Sequence, residues 1–282
     1  MQQLHTQAEI KKITTSLRKE GKTIGLVPTM GALHQGHAVL IKRARAENEI
    51  VIVSVFVNPI QFNNPADLEK YPRTLVQDLD LLQSLGCDYV FNPQVNEMYP
   101  AHEPAHEIYN FSCLDKVMEG ASRPGHFQGV AVIVSKLFDL SQAHKAYFGE
   151  KDFQQLAIIQ HLVKQKNINI EIVPCPIVRE KDGLALSSRN MRLEPEQRAL
   201  APIIYQLLQE AKTMYPKCSP QEIQVWMSQK IKQNTAMNLE YFQIADAETL
   251  QAITKWDDCV HCVACIVVLF DTVRLIDNIR FY

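Results

Sequence analysis

The sequence predicts an α/β fold with a parallel sheet, followed by a smaller α+β domain. Two observations carry the prediction: short apolar runs alternate with helical spacings as far as residue 177, and from 178 onward two helical patterns precede three strand-like segments. Residues 24–30 (IGLVPTM) and 50–57 (IVIVSVFV) are apolar and bounded by turn residues, so they read as buried strands. Segments 88–92, 146–149 and 170–178 read the same way. Between them, Leu40, Ile41 and Ala44 mark one helix, Leu75, Leu79 and Leu82 a second, and Leu156, Ile159, Leu162 and Val163 a third. This alternation implies a sheet covered on both faces, with its ligand crevice at the carboxyl ends of the strands. Two domains are expected, 1–177 and 178–282. The second should hold helices at about 195–213 and 219–234 and strands at 239–245, 263–270 and 273–281. The loop VREKDGLALSSRN (178–190) suits a polyanion and is expected to close over the first domain's crevice.

The 282 residues include 29 Lys and Arg against 31 Asp and Glu, so the chain is near neutral. With 46% apolar and 21% charged residues and no low-complexity tract, composition argues for a packed core and against disorder. The longest apolar stretches, such as 51–53 and 262–270, fall far short of the roughly 20 residues of a membrane-spanning helix. The first residues lack an apolar signal-peptide core, and a cytosolic setting is expected. Residues 178–282 hold 12 basic and 13 acidic side chains, and 1–177 hold 17 and 18, so neither part has the basic excess of a nucleic-acid footprint.

Seven cysteines, an odd number in a chain of this size, oppose a secreted disulfide framework, and reduced thiols are the default. Cys259-x-x-Cys262-x-x-Cys265, with His261 inside it, resembles part of a zinc or iron–sulfur run but lacks the fourth cysteine and following proline. Placed on a strand, the thiols at 259 and 265 face one way and that at 262 the other, so they are expected not to converge.

Four segments carry candidate chemistry. The first strand runs into Pro28-Thr29-Met30-Gly31-Ala32-Leu33-His34-Gln35-Gly36-His37, where the glycines permit a tight turn and the amino terminus of the next helix offers N–H groups to a phosphate. A His-x-x-His pair alone fits a structural pair or a metal site as well; its place at a strand-to-helix turn favours a nucleotide. The G-x-x-x-x-G-K-[ST] of a P-loop is absent. In Phe148-Gly149-Glu150-Lys151-Asp152-Phe153-Gln154-Gln155, Gly149 permits close backbone approach, Lys151 supplies a phosphate-binding charge and Asp152 can accept from ribose hydroxyls, although acids at a helix start also simply favour its dipole. Leu186-Ser187-Ser188-Arg189-Asn190 joins hydroxyl donors to a guanidinium that can grip phosphate, the alternative being a helix cap. Arg123, beside Pro124 and Gly125, is a further candidate.

Together, PTMGALHQGH, VNPIQF, YPRT, MEGASRPGHFQGV, AYFGEKDFQQL and VREKDGLALSSRN resemble the pantoate–β-alanine ligase family over nearly the whole chain. Two positions depart from the family pattern: Arg192 stands where Tyr is common and Ala143 where Pro is frequent. The resemblance implies a Rossmann-like fold of the nucleotidyl-transferase type, a homodimer, and a cytoplasmic enzyme of pantothenate and coenzyme A biosynthesis. ATP and pantoate would form pantoyl adenylate and pyrophosphate; the amine of β-alanine would then displace AMP. It assigns charge stabilisation on the phosphates to His34, His37 and Lys151, with His37 the presumed acid. Ser187, Ser188 and Arg189 would hold the triphosphate. Met30, Gly149, Asp152 and the backbone at Val178 would hold adenosine, and Gly31, Ala32, Leu33, Gln35, Gly36, Glu150 and Leu186 complete the ATP-binding set. Gln61 and Gln155 would bind pantoate, with Tyr71 and Arg123 in support. Mg²⁺ is expected to be held mainly by the nucleotide, with no dedicated protein metal site. A phosphate-adenylylating transferase is the rival enzyme, which Gln61 and Gln155 disfavour, because a phosphate acceptor is better served by cations.

Overall fold

The computed structural model describes residues 1–101 and 107–282. Its elements begin with β1 (Gln2–Leu4), α1 (Gln7–Lys19), β2 (Ile24–Thr29), α2 (Gln35–Glu47), β3 (Ile50–Val55), α3 (Pro65–Glu69), α4 (Leu75–Ser84), β4 (Tyr89–Phe91) and α5 (Val95–Met98). They continue with α6 (Met118–Ser122), α7 (His126–Ser141), β5 (Lys145–Gly149), α8 (Phe153–Lys166) and β6 (Glu171–Cys175). The last are α9 (Pro195–Leu200), α10 (Ile203–Thr213), α11 (Pro220–Lys232), β7 (Asn238–Asp246), β8 (Cys262–Phe270) and β9 (Val273–Arg280). The first six strands form one parallel sheet in the order β1-β4-β3-β2-β5-β6, and the last three form an antiparallel sheet in the order β7-β8-β9.

The five expected strands up to residue 178 are β2 to β6, and the near-continuous burial of β2 and β3 is what a sheet covered on both faces requires. Besides the short helices α3, α5 and α6, three elements lie outside the sequence reading. β1 is a short edge strand whose partner, β4, lies far along the chain. α1 is opened by a capping box between Thr6 and Glu9 and buries Ile10, Thr14 and Leu17 on one face. α7 buries twelve of its sixteen residues, leaving only a narrow polar stripe of Gln128, Ser135, Lys136 and Asp139. The helix expected over 195–213 is two, because Pro202 has no N–H to give and its ring crowds the preceding turn.

Two compact units divide the chain. Unit 1 is Met1–Phe111, Arg123–Glu150 and Ile158–Pro176; unit 2 is Ser112–Ser122, Lys151–Ala157 and Ile177–Tyr282. The core of unit 1 gathers Val27, Ile41, Val51, Val53, Leu82 and Val90. That of unit 2 packs Leu208 of α10 and Met227 and Ile231 of α11 against Ile244, Ile266 and Phe270 of the antiparallel sheet. No helix among the described residues is long and apolar enough to cross a membrane.

Cys259 corrects the reading of the cysteine run. It precedes β8, at the end of a short 3-10 turn, and is disulfide-bonded to Cys262. The alternation that would part these thiols needs both on the strand, and the strand begins only at Cys262. Cys265 is a free, buried thiol, pushed up to about 12 by its burial.

Candidate active site

In the parallel sheet, the chain winds from β2 through β3 to β4 on one side and from β5 to β6 on the other, so strand order reverses between β2 and β5. Met30–His37 follow β2 at this point, and Gly149 ends β5. A side chain added at Gly149 would meet no atom within 4 Å, so the backbone there lies open to a ligand. A cavity of about 250 Å³ lies at the carboxyl ends, with Met30, Gly31, Val55, Arg73, Asp78 and Gln94 in its wall.

The turn after β2 is left-handed at Gly31 (φ 78°) and at Ala32 (φ 50°), a conformation that costs an alanine about 1–2 kcal/mol. Asp78 of α4, only 2% exposed, holds it in place. The Ala32 N–H donates to Asp78 Oδ2 (2.9 Å) and the Leu33 N–H to Oδ1 (2.8 Å), while Thr74 Oγ1 donates to Oδ1 (3.2 Å). These two amides, part of the set the resemblance assigned to ATP, are therefore engaged within the protein. Asp78 falls on the same helical stripe as Leu75, Leu79 and Leu82, yet the sequence reading does not contain it.

His34 and His37 cap α2 reciprocally. The Gly36 N–H donates to His34 Nδ1 (3.1 Å), and the His34 N–H donates to His37 Nδ1 (3.3 Å), with the ring centroids 4.1 Å apart. An imidazole whose Nδ1 accepts carries its proton, when neutral, on Nε2. Both rings thereby hold an Nε2–H donor on the side away from the cap. The Gly36 amide, which the sequence offers to a phosphate, is instead taken by the His34 ring; the helix dipole is unaffected.

Gln61 sits in a short turn pressed against α7, whose Gly129 is required there: a Cβ on it would lie 2.5 Å from Ile60 O and 2.7 Å from Gln61 Cα. Asn58 Nδ2 donates to Gln61 Oε1 (3.1 Å) and to Gly129 O (3.0 Å), and Gln61 Nε2 lies 3.0 Å from Met30 Sδ. His126 Nδ1 is 2.8 Å from the Gln61 carbonyl, and Arg123 Nη1 is 3.3 Å from His126 Nε2. Unit 1 thus brings Arg123 and His126 to the turn that carries Gln61. Tyr71 is buried edge-on to Phe62 (centroids 5.8 Å apart).

Glu150, Lys151 and Asp152 form a 3-10 turn directly after β5. In unit 2, Lys151 Nζ lies 3.9 Å from Asp152 Oδ2, and the Lys151 carbonyl accepts from Asn278 Nδ2 (3.0 Å). Gln155 is half-buried, whereas Gln154, which the sequence did not single out, is buried and holds the 112–122 segment. Gln154 Nε2 donates to Leu114 O (2.6 Å) and Val117 O (2.9 Å), and its Oε1 accepts from the Glu119 N–H (2.9 Å).

Residues 178–186 form a small hairpin: Arg179 pairs with Ala185, the Leu186 N–H donates to Val178 O (2.9 Å), and Gly183 turns it with φ 96°. Ser187 Oγ accepts from the Arg189 N–H (3.2 Å) and caps the 3-10 turn Ser188–Arg192. Ser187 is therefore a cap, the alternative left open by the sequence. Arg179 grips Asp277 bidentately (2.6 and 2.9 Å), donates to Gly183 O (3.2 Å) and stacks 3.6 Å over the Tyr205 ring. Burial pushes the Asp277 carboxyl above its ordinary value, with Arg179 pulling against it.

The family model described as pantoate-beta-alanine ligase matches residues 2–280. A pantothenate synthetase of Phocaeicola vulgatus is 54% identical over 282 residues, covering 100% of this chain and 99% of that one. The crystal structure of pantothenate synthetase from Thermus thermophilus superposes with a TM-score of 0.92 at 41% identity, covering both chains fully. That of a pantoate-beta-alanine ligase from Francisella tularensis, complexed with β,γ-ATP and β-alanine, gives 0.83 at 37% identity over 100% of this chain and 98% of that one.

Proposed function

The chain belongs to the pantoate-beta-alanine ligase family, and from that premise we propose how its own residues divide the reaction. The enzyme condenses pantoate with β-alanine, converting ATP to AMP and pyrophosphate through a pantoyl adenylate, and serves pantothenate and coenzyme A biosynthesis. The observation that carries the assignment of residues is the histidine-capped start of α2 at the point where strand order reverses.

In this reading the two Nε2–H groups of His34 and His37 donate to phosphoryl oxygens as negative charge develops, with His37 as the acid. Lys151 adds a point charge, and Ser188 and Arg189 hold the triphosphate beside Ser187, whose hydroxyl also keeps the turn closed. Met30, Gly149, Asp152 and the Val178 backbone hold adenosine, bordered by Gln35, Glu150 and Leu186. Gly31, Ala32, Leu33 and Gly36 shape the cradle, since all four of their amides are already engaged. Gln61 and Gln155 bind pantoate through neutral amides, supported by Tyr71 and Arg123. The bound nucleotide and β-alanine of the Francisella relative support these two ligands. Mg²⁺ fits this donor set as an ion carried by the nucleotide, because phosphate oxygens and the carboxylates of the Glu150–Asp152 turn are hard donors; when bound it neutralises phosphate charge. A homodimer and a cytoplasmic setting belong to the same proposal.

ATP–pyrophosphate exchange tests it. Pantoate alone should support exchange, because the adenylate forms before the amine is needed; strict dependence on β-alanine would contradict the two-step order.

A further inference from the structure

β9 carries two consecutive buried polar residues, Asp277 and Asn278, each 5% exposed. Successive side chains of a strand point to opposite faces, so this pair is buried on both sides of the sheet. On the odd-numbered face, Val273 and Leu275 enter the core of unit 2, and Asp277 continues that face. On the even-numbered face, Arg274 grips Glu119 (2.5 and 2.6 Å), Asn278 donates to the Lys151 carbonyl, and the Arg280 guanidinium lies 5.0 Å over the Phe153 ring.

Polar groups buried this deeply are costly unless partnered, and Lys151 and Arg179, two of the partners here, sit on segments of the nucleotide reading. Asn278 meets Lys151 at its own backbone. Asp277 meets Arg179, which pairs across the hairpin with Ala185, and Asn190 Nδ2 ties the far side of the Ser187–Arg189 turn back to Ala185 O (3.0 Å). The Asn278 N–H also donates to Asp277 Oδ1 (2.8 Å), joining the two anchors.

We propose that Asp277 and Asn278 are positioning residues for adenylation: from opposite faces of β9 they fix the backbone that carries Lys151 and the hairpin that delivers Ser187, Ser188 and Arg189. Neither touches substrate. Both act by holding phosphate-binding groups in register, where a displacement of about 1 Å can cost about 100-fold in rate. The inference rests on the assignment of Lys151 and Arg189 to the triphosphate.

Asn278→Asp tests it, because the substitution keeps the size of the side chain and removes the donor to Lys151. Pantoate-dependent exchange should fall about 10- to 100-fold, as for loss of a supporting contact. Conversion of added pantoyl adenylate and β-alanine to pantothenate, which needs no triphosphate, should stay within about 3-fold of wild type. On a Lys151→Ala background, Asn278→Asp should cost little more. Arg179→Lys, which keeps the charge and loses the bidentate grip, should show the same split if Asn278→Asp does not fold. Equal loss in both half-reactions would mean a merely structural role and overturn the proposal, as would unchanged exchange in both variants while Lys151→Ala and Arg189→Ala are impaired. If the latter two are themselves unimpaired, the assignment of the triphosphate fails instead, and the proposal with it.

Discussion

The turn after β2 and the 178–186 hairpin both carry residues of the nucleotide reading, and they are anchored by opposite means. In unit 1 a buried carboxylate, Asp78, accepts from the backbone amides of Ala32 and Leu33, so the left-handed turn is held through its main chain. In unit 2 a guanidinium reaches from the hairpin to a buried carboxylate, so the hairpin is held through a side-chain ion pair. The difference teaches where each region is fragile. Loss of Asp78 leaves two neutral N–H groups unsatisfied, whereas loss of Asp277 leaves a largely buried positive charge without its partner.

The largest effect should follow Asp277→Ala, which is expected to lower the unfolding free energy by about 3–5 kcal/mol. Denaturant titration of the full chain measures it, and a loss below about 1 kcal/mol would show that the ion pair is not what holds the hairpin. Asp78→Ala should cost less, about 2–3 kcal/mol, since hydrogen bonds to a charged acceptor are lost but no opposite charge is stranded. A cost equal to that of Asp277→Ala would erase the contrast. Gly31→Ala comes next: its φ is positive and the new Cβ would lie 3.0 Å from Asp78 Oδ2 and 3.1 Å from Val55 Cγ1, so about 1–2 kcal/mol should go. Stability unchanged within about 0.3 kcal/mol would mean that the turn is not strained. The smallest effect on chemistry should come from outside both anchors. A triple Cys→Ala change at 259, 262 and 265 should leave adenylation within about 2-fold while costing some stability through lost core packing and the lost crosslink. A large loss of exchange, with the fold intact, would give that segment a role it lacks here.

Much of this comparison was legible from the residues, and the rest was hidden for physical reasons. The strands of the parallel sheet announce themselves as apolar runs, and His34 and His37 stand at a strand-to-helix turn that the spacing alone locates. Asp78 is legible only by half: it shares the helical stripe of Leu75, Leu79 and Leu82, but its acceptor role depends on a turn 46 residues earlier that no local signal names. Gln154 and Gln155 are chemically alike in sequence; one helical step, about 100°, separates an internal strut from a ligand candidate, and the 112–122 segment decides which is which. Arg179 and Asp277 are 98 residues apart, so neither carries a local signal of the other. α7 has a polar stripe of only four residues, Gln128, Ser135, Lys136 and Asp139, so its helical period is faint beside the long apolar run 129–134.

The central proposal is that His37 and Lys151 both stabilise phosphate charge during adenylation. A double-mutant cycle on the single-turnover rate of pyrophosphate release tests it most directly, using His37→Ala, Lys151→Ala and the double variant. Each single change should lower the rate about 10²- to 10³-fold, the scale for one preorganised donor to a charged transition state. Groups that stabilise one transition state as a unit are non-additive, so the double variant should fall no more than about 10-fold below the worse single. A double variant slowed by the full product of the two single effects would show that His37 and Lys151 act independently, and would contradict the shared role.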